Sequence, residues 1–158
     1  MTRLIDVWWR LAYRAAHWLL CCWWWLRRPA AEGAGVAVWC DGRLLVVRSS
    51  YRTTLDLPGG GLEPGETARS AAARELREEV GLTAPLEELH EAVRLTFVQE
   101  HRRITDTVFE WRTARRDPPR IDRREIVWAG WLTPAELRQA KLAQPLMEYV
   151  TSVGPTFR

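Results

Sequence analysis

Three glutamates, Glu75, Glu78 and Glu79, are spaced i, i+3 and i+4 in a run free of glycine and proline. On a helix that spacing brings their carboxylates to one patch. Clustered carboxylates repel one another unless positive charge sits among them, and a hard divalent cation with oxygen ligands is the simplest source. Taken alone, the pattern also fits a solvated acidic face on which Arg74 and Arg77 pair locally with Glu78. The preceding residues favour the cation. Gly59, Gly60 and Gly61 are consecutive, and such a run lets the backbone reach positive φ and approach a ligand closely. A carbonyl from this loop could join the oxygen shell. It is not a phosphate-cradling P-loop, because no Gly-Lys-Ser/Thr follows.

Several elements must position these groups. Thr67–Val80 is rich in Ala, Arg, Glu and Leu and stops at Gly81, which predicts a helix. Ala72, Ala73, Leu76 and Val80 form an apolar stripe that can hold this helix on a sheet. Val36–Cys40, Asp41–Gly42 and Arg43–Arg48 read as strand, tight turn and strand. Leu55–Leu57 is extended before Pro58, and Glu91–Gln99, Ile104–Arg112 and Glu125–Trp131 are further strands. Thr113–Arg124 is a charged loop. Thr133–Pro134 opens a C-terminal helix with a capping residue followed by proline, and Pro145–Val150 adds a short one. Strands on both sides of a helix in 158 residues predict one α/β or α+β sandwich. Ala30–Gly35 reads as a linker between residues 1–29 and a domain of 36–158.

From Gly60 to Leu82 the chain resembles the Nudix box: Gly60, five residues, Glu66, seven residues, Arg74-Glu75, Leu76, any residue, Glu78-Glu79, any residue, Gly81, Leu82. All nine specified positions match. The resemblance extends over roughly Val36 to Val150 and implies a Nudix α/β/α sandwich with a mixed sheet. It implies hydrolysis of a nucleoside diphosphate linked to another group, by water attack on phosphorus. The implied catalytic residues are Glu66, Arg74, Glu75 and Glu78, with Arg74 orienting the carboxylates and Glu66 tying the loop to the helix. The implied ligands for Mg²⁺ or Mn²⁺ are Glu75, Glu78, Glu79 and the carbonyl of Gly60. The expected partner is a small nucleotide-diphosphate substrate. Leu95–Gln99, where subfamilies favouring ADP-ribose or dinucleoside polyphosphates carry an extra proline or tyrosine, has neither.

The general base stays open between a box glutamate and a carboxylate outside the box, with Asp117, Asp122, Glu125 and Glu100 as candidates in that order. Arg43, Arg48 and Arg52 lie at the edge of the first hairpin, where Arg48 and Arg52 are candidates for substrate phosphate. His90 and His101 show no acid/base partner. A non-catalytic nucleotide-binding protein on the same fold is the competing reading; three intact carboxylates argue against it.

Composition divides the chain in two. Six of the ten tryptophans, Trp8, Trp9, Trp18, Trp23, Trp24 and Trp25, lie in one stretch of eighteen residues. The net charge is +3, but Arg3, Arg10, Arg14, Arg27 and Arg28 against Asp6 give residues 1–30 a charge of +4, leaving −1 for the rest. The domain is therefore near neutral, and a general nucleic-acid surface is not indicated. Cys21, Cys22 and Cys40 have no disulfide or zinc spacing and fit small apolar roles in a reducing, cytoplasmic setting. The uncharged run between Arg14 and Arg27 is twelve residues, too short for a bilayer span of roughly 20. Residues 1–29 read instead as an amphipathic helix with an arginine stripe. Four roles are open: packing on its own domain, a homodimer interface, peripheral membrane contact (with lipid-linked diphosphates as substrates), or a cleaved targeting segment.

Overall fold

Strand β1 (Ala30–Cys40) alternates its burial between two cores, with Val36 and Val38 facing one and Ala37 and Trp39 facing the other. The period of two in a strand requires this, and a strand apolar on both faces must be covered on both. The computed structural model describes residues 7–9, 11–13, 15–20, 30–99, 102–121 and 123–152. Asp41 (φ 48°) and Gly42 (φ 69°) turn β1 into β2 (Arg43–Ser49), as the Asp-Gly signal predicts. The other strands are β3 (Gly59–Gly61), β4 (His90–Gln99), β5 (Arg102–Arg112) and β6 (Ile126–Leu132). The mixed sheet runs β4-β5-β1-β2-β6, with β1 and β5 parallel and β3 pairing with β1.

Helix α1 (Ala68–Val80) covers one face through Ala71, Ala72, Leu76 and Val80. Ala71 takes the fully buried place expected of Ala73, which is only partly buried. Helices α2 (Pro134–Gln139) and α3 (Gln144–Ser152) cover the other face through Leu137, Leu146 and Tyr149. The result is the α/β/α sandwich that the sequence leads one to expect. On the second face Trp39 Nε1 donates to the Tyr149 hydroxyl at 2.8 Å, and that hydroxyl donates to Glu110 Oε1 at 2.6 Å. Trp39 is thus buried core, while Trp111, Trp128 and Trp131 are half-buried beside the cores.

Ala30–Gly35 is not a linker. It is the first half of β1, in register with Arg103–Val108 of β5. Its small residues reflect close packing: a Cβ on Gly35 would stand 3.2 Å from the Pro58 carbonyl oxygen, and one on Gly33 would strike the Asp106 carboxylate. β1 and β2 pair directly only at Trp39–Leu44 and Cys40–Arg43. Beyond that they diverge, and the segment before β3 enters the gap. Val36 N–H donates to the Pro58 carbonyl at 2.9 Å, and Val47 and Asp56 exchange backbone bonds. β3 then pairs with the glycine half of β1, Gly33 opposite Gly61 and Gly35 opposite Gly59. This opening in the sheet places the site.

Residues 7–9, 11–13 and 15–20 are helical. The remainder of the expected 1–29 helix, including Cys21 and Cys22, lies outside the described residues, as do Glu100, His101 and Asp122. Cys40 is buried with a free thiol. Among the described residues no helix is long and apolar enough to cross a membrane.

Candidate active site

Helix α1 begins and ends where its sequence dictates. The Thr67 side chain accepts from the Ser70 N–H at 3.2 Å, and Gly81 caps the end at φ 70° with its N–H on the Arg77 carbonyl. Arg74 is the hub that ties loop to helix. Its Nε and Nη2 donate to Glu66 Oε1 and Oε2 at 3.1 and 3.0 Å, a bidentate pair. Nη2 also reaches the Gly61 carbonyl at 3.0 Å, and Nη1 reaches Glu75 Oε1 at 2.8 Å and Glu78 Oε2 at 3.5 Å. Glu66 Oε2 accepts the Glu63 N–H at 3.0 Å. The hydrogen bond from Arg74 holds the Glu66 carboxyl below its ordinary value and raises Arg74 in turn. Both residues therefore tie the segment Gly61–Glu66 to the helix and its carboxylates.

Beside this hub lies a cavity of about 440 Å³ at the point where β1 and β2 separate. Its described walls carry the carboxylates of Glu32, Asp56, Glu75, Glu78, Glu79, Asp106 and Glu125 against the guanidinium of Arg52. Glu79 Oε2 accepts the Gly59 N–H at 3.0 Å. Burial pushes the Glu79 carboxyl well above the usual carboxylate range, the Gly59 N–H offsets part of this, and the charges of Glu75, Glu125 and Asp56 add to it. Burial likewise raises Glu75, against the pull of Arg74. Burial, then the charge of Glu125, pushes the Tyr51 phenol up to about 12; its hydroxyl stands 3.4 Å from Glu125 Oε1.

The structure brings Gly60, Glu75, Glu78, Glu79 and Arg52 to the cavity. It does not bring Arg48, which is exposed on β2 opposite Trp128. The cavity forms on the side where the chain leaves the β1–β2 pair, and the Arg48 side chain falls outside it. Arg43 pairs with Glu136 at 3.4 Å, remote from the cavity. Of the general-base candidates within the described residues, Glu125 lines the cavity. Asp117 does not; it pairs with Arg115 at 3.4 Å, and its carbonyl accepts from Trp131 Nε1. Tyr51, Asp56 and Asp106 line the cavity without having been singled out in the sequence. Gly33 was the available signal for Asp106, since a glycine within a strand marks a close neighbour.

Among the described residues, no three Asp, Glu, His or Cys side chains stand together as a finished ligand cage. Arg74 draws Glu75 and Glu78 toward itself instead. The donor chemistry nonetheless fits a hard cation: the lining is rich in carboxylate oxygen and poor in compensating positive charge. Gly60 fits too, because a Cβ there would fill the space held by the Glu75 carboxylate.

A NUDIX domain model matches residues 29–152. The chain belongs to the NUDIX family. As a Nudix hydrolase it falls in an enzyme class that acts on nucleoside diphosphate derivatives. It is 35% identical over 130 residues to a MutT-like protein of Streptomyces ambofaciens, covering 79% of each chain. A MutT NUDIX hydrolase from Burkholderia pseudomallei superposes with a TM-score of 0.70 at 21% identity, covering 79% of this chain and 98% of that one. A bifunctional NMN adenylyltransferase/ADP ribose pyrophosphatase from Francisella tularensis, complexed with AMP and a Mn ion, superposes at 0.69 with 19% identity, covering 94% of this chain and 48% of that one. Both likenesses are of fold. Nudix membership agrees with the box read from Gly60 to Leu82.

Proposed function

We propose that this Nudix hydrolase cleaves a nucleoside diphosphate linked to a second group, using Mg²⁺ or Mn²⁺ held by Glu75, Glu78, Glu79 and the Gly60 carbonyl. The observation that carries the reading is the carboxylate-lined cavity placed against the glycine strand β3 and α1. When bound, such an ion neutralises charge on the diphosphate and acidifies water for attack on phosphorus. Arg74 and Glu66 hold the loop and the carboxylates in place. Arg52, at the cavity wall, is suited to a substrate phosphate. Glu125, the carboxylate outside the box that lines the cavity, is assigned as acceptor of the proton from the attacking water, with Tyr51 fixing its orientation. The products are a nucleotide-containing phosphate and the phosphate of the second group.

The test is a panel of nucleoside diphosphate derivatives assayed with Mg²⁺, with Mn²⁺ and with EDTA, alongside Glu78→Gln and Mg²⁺ titration calorimetry. Metal-dependent turnover that Glu78→Gln abolishes is expected. Absence of turnover across the panel, or full turnover by Glu78→Gln, would overturn the reading and favour a nucleotide-binding protein.

A further inference from the structure

The N-terminal helical residues meet the domain at the rim of the catalytic cavity. The His17 ring stacks on Tyr51, with centroids 4.6 Å apart and planes at 26°. The Arg124 guanidinium lies 5.8 Å from the centroid of the Trp9 ring. Tyr51 lines the cavity and Arg124 precedes Glu125, which also lines it. Tyr13 and His17, one helical turn apart, are the partly covered ones among the described residues of this segment. The opposite side carries Trp8, Leu11, Ala15, Trp18 and Leu19, all exposed, with Trp8 at 72%, Trp18 at 67% and Leu19 at 63%. Their spacing of three, four, three and one residues makes a single outward apolar arc.

We propose that this arc docks on an anionic lipid surface, so that the helix lies in the plane of a membrane interface with the rim of the hydrolase cavity behind it. Two properties select this occupant. The sequence of residues 1–30 carries +4 while the remaining residues sum to −1, so the positive charge is concentrated on the segment that bears the arc. A segment whose sequence joins exposed tryptophan and leucine to a surplus of arginine suits the boundary between acyl chains and anionic headgroups. A symmetric pair of these helices would instead bring two arginine-rich segments together, which like charge disfavours. The surface stands independently of the chemistry assigned to the cavity.

Co-sedimentation of the full chain with vesicles of phosphatidylcholine alone, and of phosphatidylcholine with phosphatidylglycerol, tests it. Binding is expected to the anionic vesicles, to weaken with salt, and to be accompanied by a blue shift of tryptophan fluorescence. Trp8→Ser/Trp18→Ser is expected to weaken binding at least about tenfold while leaving circular dichroism and turnover of a water-soluble substrate unchanged. Failure to bind anionic vesicles, or equal binding by the double variant, would overturn the proposal. So would light scattering that shows a dimer which the double variant dissociates.

Discussion

The backbone N–H of Gly59 donates to Oε2 of Glu79 at 3.0 Å, joining residues twenty positions apart across the mouth of the cavity. The bond links a glycine whose flatness is required to a carboxylate whose burial is costly. A Cβ on Gly59 would stand 2.5 Å from the Ala34 carbonyl oxygen and 2.6 Å from Gly35 Cα, both backbone atoms of β1. Backbone cannot yield as a flexible side chain can.

Gly59→Ala is therefore expected to push β3 away from β1 and to release Glu79. A stability loss of about 1–3 kcal/mol in urea unfolding, typical of forced overpacking, should accompany a fall in hydrolysis. Unchanged stability in Gly59→Ala would mean that the loop relaxes without cost.

Arg74 has five acceptor atoms in reach, on the four residues Glu66, Gly61, Glu75 and Glu78. Arg74→Ala removes the fork and leaves Glu66 and Glu75 to repel without compensation. Activity is expected to fall by about 10–100-fold, the usual effect of losing a partner that orients ligating carboxylates. Arg74→Lys should recover little, since an ammonium cannot reproduce the bidentate pair. Steady-state kinetics with metal titration checks both.

Burial pushes the Asp56 carboxyl up to about 6, with the Leu57 N–H and Arg52 offsetting part of the rise. The folded state thus holds this proton more tightly than the unfolded chain does. Its contribution to stability is full below about pH 4 and is lost as pH rises toward 6. In metal-free protein, Asp56→Asn should remove that loss while still accepting the Leu57 N–H. Because 27% of the side chain is exposed to the cavity, water screens part of the effect. A gain of about 1–2 kcal/mol over the parent at pH 7, absent near pH 4, is expected. Denaturant unfolding at both pH values measures it.

On the far face, Tyr149 accepts from Trp39 Nε1 and donates to Glu110. Burial, together with the bond to Glu110, raises its phenol well above the ordinary value, so it remains a neutral donor at every working pH. Tyr149→Phe leaves the indole N–H and the carboxylate without this partner. It is expected to cost about 1–3 kcal/mol in thermal or urea unfolding and to leave kcat unchanged, because α3 supports the sheet from the side opposite α1.

Nine box positions from Gly60 to Leu82 were legible because their relations are local: a helix period groups Glu75, Glu78 and Glu79, and caps at Thr67 and Gly81 bound the helix. The hairpin at Asp41–Gly42 was legible for the same reason. Ala30–Gly35 is ambiguous in sequence because small residues suit both a linker and a strand that others approach closely. Only the approach of Pro58, β3 and Asp106 distinguishes the two.

The sequence by itself determined the helix that carries the box glutamates, the glycine run before it, the sandwich class and the distinct composition of residues 1–30. Tertiary structure alone decided that Glu125, Tyr51, Asp56 and Asp106 share one cavity with the box, that Arg52 lines it, and that Arg48 and Asp117 do not. It also decided that His17 rests on Tyr51 at the cavity rim. The physical reason is range. Helix periodicity and capping act over a few residues, whereas the cavity exists because β1 and β2 part and admit residues 55–58 between them. That divergence depends on packing among segments far apart in the chain.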